Sequence, residues 1–379
     1  MDAASLRVVT NNDSVGSELR GWAARQMIAE DAHWAMDVIL SGQRVPRLSP
    51  FVPLLLGHHF VRIAYEGAHA LRSANPHLGV PELARLLTDK YASVTAQARH
   101  VSKLLDDTKK TYETVIAEFD AIAQEHHDRF TGNAVRWVRR FETDLGLYVA
   151  GGTLLGATWP AAYRLGLSVN AEGTISGQDL QAVTEEWGGT LAVLGAATLD
   201  TTPPIATLDL TRVPRIDGRD KRSDRYLSDR FDPSFPDGLK VLLLAMEGEM
   251  NTLLTFASRT TPGHELAVFR ARVVALYHTL SALVRVSDRY ASVTTGGMTA
   301  LRDVLATAPA QGLLSRPGQM VRNRCMHYEI RDARVAIDPT VGMFGIIESV
   351  FPGKSLSDLS EDVTSVTALV AELLRQWRP

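Results

Sequence analysis

The chain has 379 residues, of which 45% are apolar and 22% charged, so a wholly disordered polymer is excluded and two domains of ordinary size are allowed. Forty Lys and Arg against 43 Asp and Glu leave a net charge of -3, which excludes a surface that grips nucleic acid everywhere by charge but not a locally basic site. The single cysteine, Cys325, excludes an internal disulfide and any zinc site built on paired thiolates, and it fits a reducing cytoplasm.

The opening residues MDAASLRVVTNND lack a basic segment followed by an apolar core, so no secretory signal is expected. Ser17 to Leu40 carries apolar side chains near the helical period, among them Trp22, Met27, Met36 and Leu40. Pro46, Pro50 and Pro53 interrupt the chain before a second helix over Leu54 to Leu71, which the Asn75-Pro76 pair ends. Pro81 opens a short helix over Val80 to Leu87, and Ala92 to His127 reads as one long amphipathic helix. Gly132 to Leu147 continues in the same style. Leu145 to Tyr163 is uncharged, but its Gly and Pro content predicts a buried Gly-rich helix or turn rather than a membrane span.

Between about 163 and 216 the helical signal weakens. Tyr163, Leu165, Leu167 and Val169 alternate, as do Leu208 and Leu210, which predicts a small irregular or β insertion, with one more helix over Asp179 to Leu194. Residues 201–236 combine prolines with dense charge and read as a linker. Its basic residues, Arg219, Lys221 and Arg222 among them, form a candidate strap for a phosphate backbone. The rest is helical again: Gly238 to Ser258, His264 to Tyr290, Met298 to Ala306, Pro317 to about Asp332, Gly342 to Phe351, and Ser355 to Trp377. The last begins with a capping-box pattern, Ser355 to Asp358. The fold expected is mainly α, with a helical part at 1–200, the linker at 201–236 and a second helical part at 237–379.

The segment Met320 to Tyr328 concentrates the chemistry. Val321, Cys325 and Tyr328 suit a core, whereas Arg322, Asn323, Arg324 and His327 are polar. Asn323 and His327, four apart, share a helix face, so the amide could orient the imidazole. Arg322 lies about 140° round the helix from His327, within reach through its long side chain. A two-fold dimer pairing two such helices would double both groups.

Arg322-Asn323-x-x-x-His327 resembles the R-x4-6-H motif of the HEPN superfamily (higher eukaryotes and prokaryotes nucleotide-binding domains). The long helices before it, the aromatic Tyr328 after the His and the closing helix are similar too; the resemblance covers about residues 237–379. It implies a helical bundle that dimerises through the motif helices and cleaves RNA without a metal or other cofactor. His327 would move protons, Arg322 would stabilise charge on phosphate oxygens and Asn323 would orient the phosphate, with Arg324 beside them on the RNA. The role implied is in defence or growth arrest, in the cytoplasm and away from membranes. Residues 1–200 would sense, restrain or position, a task open to a regulatory partner. Some relatives carry a modified Tyr two residues after the His; here Glu329 stands there, so that feature is not carried over. A catalytically silent RNA-binding scaffold of the same type is the alternative.

Other constellations compete. Glu30-x-x-His33 and Glu66-x-x-His69 place Glu and His on one helix face, as in di-metal oxidases, with Glu113 and Glu118 as further carboxylates. His58-His59 and His126-His127 are adjacent and point about 100° apart on a helix, so neither pair is a chelate by itself. Asp106-Asp107 reads as an exposed charged face. Cys325 and His327 diverge too far on a helix to act as a thiolate–imidazole pair.

Overall fold

The computed structural model describes residues 3–74, 95–96, 98–99, 110–132, 134–135, 137–165, 177–196, 208–257, 263–330, 332 and 335–378. The short helix expected at 80–87, Asp106-Asp107, and Leu167 and Val169 of the alternating stretch lie outside the described residues.

The apolar periodicity of the first part becomes two helices, α1 (Ala3–Gln43) and α2 (Phe51–Ala74). The long helix expected over 92–127 does not run through. Residues 110 and 111 leave the helical path, and the Thr111 side chain accepts from the Thr114 amide to cap α3 (Tyr112–Phe130). Beyond it, the described part of the helix expected at 132–147 is irregular chain with a single 3-10 turn at Val138–Phe141, and an antiparallel hairpin follows, β1 (Leu145–Ala150) and β2 (Thr153–Ala157). The reason is local. Gly151 and Gly152 hold φ of 56° and 85°, and two successive positive φ values make the two-residue turn whose twist suits a hairpin. The uncharged stretch at 145–163 is therefore strand, turn, strand and then α4 (Thr158–Arg164). Tyr163, expected on a strand, is in that helix. The helix expected near 179–194 is present as α5 (Gly177–Ala196).

The segment read as a linker contributes ordered structure in its described part. β3 (Ile216–Lys221) pairs antiparallel with β1, giving a sheet of order β2-β1-β3, and α6 (Ser223–Arg230) follows. Asp144 fastens this corner, accepting from the Ser223 backbone amide and facing His127 at 2.8 Å.

Then come α7 (Asp237–Ala257), α8 (Glu265–Arg289), α9 (Gly296–Ala306), α10 (Ala308–Leu314), α11 (Arg316–His327), α12 (Ile346–Val350) and α13 (Leu356–Arg375). The capping box at Ser355 and Asp358 forms as expected. The molecule is mainly α, with one small sheet among the described residues. One buried core runs from α1 and α2 through α7 and α8 to α13, crossing the composition boundary near 201–236. Among the described residues one helix, α8, is long and apolar enough to cross a membrane; 78% of its apolar stretch is buried inside the protein, as a central core helix would be.

α11 carries the motif, and local chemistry fixes where it starts. Ser315 caps it by accepting from the Gly318 amide, and Pro317 fills its first turn, where no amide donor is needed. Gly318 sits so close to the Leu313 carbonyl that a Cβ would fall 2.0 Å from its oxygen, so only glycine permits this corner. The helix ends at Tyr328, in the left-handed region with φ 56°.

Candidate functional site at the end of helix α11

α11 divides its polar residues between two sides. Val321, Arg322, Arg324, Cys325 and Met326 are buried, while Arg316, Gln319 and Asn323 are exposed and Met320 and His327 half-buried. The open residues Arg316, Met320, Asn323 and His327 fall at helical spacing along one face.

His327 stands at the mouth of a cleft of about 650 Å³ lined by Tyr65, Glu66, His69, Met320, Asn323, Arg324, Glu329 and Asp332, among others. Its Nδ1 lies 2.8 Å from Glu66 Oε2, and its side chain is 44% exposed, so the other ring nitrogen is left for the cleft. Arg99 grips the opposite carboxylate oxygen twice, at 2.9 and 2.7 Å. Burial opposes charge on Glu66, but the hydrogen bond from His327 and the Arg99 charge outweigh it and bring its pKa down to about 2. An ionised carboxylate on Nδ1 fixes a donor there and leaves Nε2 as the basic nitrogen. The amide of Asn323, expected to orient this ring, does not do so; Glu66 of α2 does.

Arg322 points elsewhere. Its Nε donates to His278 Nε2 at 3.1 Å, its Nη1 donates to Asn323 Oδ1 at 2.9 Å, and its charge sits 5.5 Å from the centre of the Tyr277 ring. Arg322 and His327 thus do not meet within one chain. Asn323 lines the same cleft as His327, with its amide oxygen held by Arg322. Arg324 does line the cleft; its Nη1 is tied to the Met320 carbonyl at 2.9 Å, and burial lowers its pKa.

Behind the cleft the helix is pinned by a buried charge knot that sequence reading did not find. Asp31 of α1 is wholly buried and accepts from Tyr328 Oη at 2.6 Å, Arg270 Nε at 2.8 Å and Arg62 Nη2 at 3.3 Å. Arg62 also donates to the Cys325 carbonyl at 2.9 Å. Burial drives the Tyr328 hydroxyl well above its usual range, so it stays a donor, and pushes the Cys325 thiol up to about 12, which removes it as a nucleophile at neutral pH.

The remaining candidates are dispersed. Arg219 and Lys221 are exposed on edge strand β3, on the same side as Asp217, and Arg222 pairs with Asp224 at 3.1 Å; none of the three basic residues lines the cleft. Glu30 faces Arg270 at 2.8 Å and Glu66 is taken by Arg99 and His327, so the two E-x-x-H carboxylates are neutralised by arginine instead of sharing a metal. His33 is buried on α1, and His69 packs against Tyr65 in the cleft, the rings 4.7 Å apart and tilted by 58°. Among the described residues, the one group of three metal-type ligands that converges is His58, His59 and Glu249; the first two are the adjacent pair that is no chelate by itself, and Glu249 has no signal in the sequence. No family model, curated protein or solved structure matches this chain.

Proposed function

We propose that the chain is a metal-independent endoribonuclease of HEPN type, working as a cytoplasmic homodimer in defence or growth arrest. The observation that carries this reading is the His327–Glu66 contact of 2.8 Å at the mouth of an open cleft. A carboxylate-held imidazole with its second nitrogen toward substrate is the arrangement general acid–base chemistry needs. His327 Nε2 removes the proton from a ribose 2′-hydroxyl. That oxygen attacks the adjacent phosphorus and the bond to the 5′ oxygen breaks, giving a 2′,3′-cyclic phosphate and a 5′-hydroxyl end. The leaving oxygen takes a proton from the partner's imidazolium or from water. Arg324 and the Asn323 amide N–H groups meet the phosphate oxygens, and Arg322 holds Asn323 in place through its oxygen. The dimer would form along the open face of α11, bringing two such clefts side by side.

A second reading has its own support. Arg322 is only 9% exposed and occupied by His278 and Asn323, which suits a protein that holds RNA without cutting it.

One experiment separates them. Single-stranded and structured RNA pools are incubated with the full-length dimer in chelator, and the products are examined for 2′,3′-cyclic phosphate ends. The nuclease reading expects cleavage that falls about 100- to 10,000-fold in His327→Ala, with the helical content unchanged. Equal rates in His327→Ala would refute it, and RNA retention without any cyclic phosphate would establish the silent reading.

A further inference from the structure

We propose that His58, His59 and Glu249 form a binding site for one zinc-type divalent cation, independent of the His327 cleft. His58 and His59 come from α2 and Glu249 from α7. Adjacent residues on a helix ordinarily diverge, yet here both rings turn to the same carboxylate oxygen: His58 Nε2 lies 3.1 Å and His59 Nε2 3.7 Å from Glu249 Oε1. The two rings are 4.1 Å apart, centre to centre. In a tetrahedral zinc site with bonds of about 2.0–2.1 Å, neighbouring ligand atoms stand roughly 3.3 Å apart. The two measured separations bracket that edge length.

The second observation concerns His59 alone. Its ring is 3% exposed, and its Nε2 has no hydrogen-bond partner; 3.7 Å is too long for one. A buried imidazole nitrogen left unpaired is unfavourable, and a metal ion on its lone pair removes that penalty. Glu249 is prepared for the same role. Arg164, at the end of α4, donates to the other carboxylate oxygen, Oε2, at 2.7 Å. This divides the carboxylate, leaving Oε1 to the histidines, as groups behind metal ligands commonly do. Two imidazoles and a carboxylate are a borderline donor set suited to zinc and its first-row neighbours and ill suited to magnesium or calcium. A water would complete the fourth position. With side-chain exposures of 13%, 3% and 11%, the ion would staple α2, from the first half of the chain, to α7 of the second.

The full-length chain, stripped with chelator and dialysed, is titrated with cobalt(II) and then with zinc. One equivalent of cobalt should show the intense visible absorption of a four-coordinate site, be displaced by zinc, and raise the melting temperature by several degrees. His58→Ala and Glu249→Gln should lose that equivalent, while His127→Gln, in the other histidine pair, keeps it. Wild-type chain without four-coordinate cobalt overturns the site, and so does a tight equivalent that survives both substitutions. If either variant fails to fold, X-ray absorption of zinc-loaded wild type decides: two imidazole nitrogens uphold the site and any other number refutes it. None of these readouts uses RNA, so they stand or fall apart from the nuclease reading.

Discussion

Two buried carboxylates on neighbouring helices each face arginine and a residue from the end of α11. Asp31 of α1 meets Arg62, Arg270 and Tyr328, and Glu66 of α2 meets Arg99 and His327. His327 and Tyr328 are consecutive, yet they serve opposite ends. Tyr328 takes the left-handed conformation that ends the helix, which turns its ring inward onto Asp31 and leaves His327 at the open rim. In the inner cluster the three partners of Asp31 are themselves buried, the largest exposure among them being 3% at Arg62. In the outer one the imidazole is 44% exposed. A closed network of this kind resists change and fixes geometry, whereas a half-open one leaves a proton-carrying group able to meet substrate. The inner cluster also bears strain, since a left-handed Tyr is disfavoured and is held here by its own hydroxyl bond and by Arg62.

The sharpest way to break this contrast is to remove the inner carboxylate. Asp31→Ala leaves Arg62 and Arg270 buried without their shared anion, and such a loss costs about 3–5 kcal/mol. Urea unfolding should show a midpoint lowered accordingly. His327→Ala, by contrast, should cost only about 1 kcal/mol, because its ring is half in solvent and Arg99 still neutralises Glu66. Equal losses in the two variants would erase the distinction between scaffold and site.

How much of this was legible beforehand follows the range of each interaction. The long helices announce themselves through local apolar period, and α13 through its Ser355–Asp358 box. The hairpin at 145–157 was missed although it carries a signal, the Gly151-Gly152 pair between two short apolar runs; uncharged, Gly-rich sequence looks alike as helix, turn or strand. The motif on α11 could be read because its residues are neighbours. Its orienting group could not, since Glu66 lies 261 positions from His327. Asp31 is still further from Tyr328, at 297 positions, and Glu249 is 191 from His58. No periodicity encodes such pairs; they exist only once α1, α2 and α7 have packed. Misplacing the partner of His327 on Asn323 was the cost of reasoning within one helix.

Acid offers a second, smaller lever on the outer cluster. The folded pKa of Glu66, about 2, lies below its ordinary 4.5, so its ionised form stabilises the fold at pH values above about 4.5. That contribution is lost as pH falls towards 2, and the shift corresponds to about 3 kcal/mol. Wild-type stability should therefore drop by about that much more than that of Glu66→Gln over this window, measured by urea unfolding at successive pH values. If the proposed nuclease reading holds, the same variant at neutral pH should slow RNA cleavage and move its pH profile, because the imidazole loses the anion that orients it. Parallel acid curves for the two proteins would mean that Glu66 contributes as a neutral group.

The smallest effect expected lies at the rim, where Glu329 and Asp332 share the cleft with Arg324. Both are only partly buried, so their fields are largely screened by water. On the proposed reading they would oppose an incoming phosphate, and Asp332 also acts on the Arg324 guanidinium. Neutralising them, as Glu329→Gln with Asp332→Asn, should tighten RNA binding about two- to tenfold at low salt, with the gain fading near ~0.15 M as the screening length shrinks to about 8 Å. The same substitution should leave urea stability unchanged, since neither carboxylate belongs to the inner knot. An unaltered affinity at every salt concentration would instead mean that any RNA backbone passes elsewhere, and Arg219 and Lys221 on β3 would be the next residues to substitute.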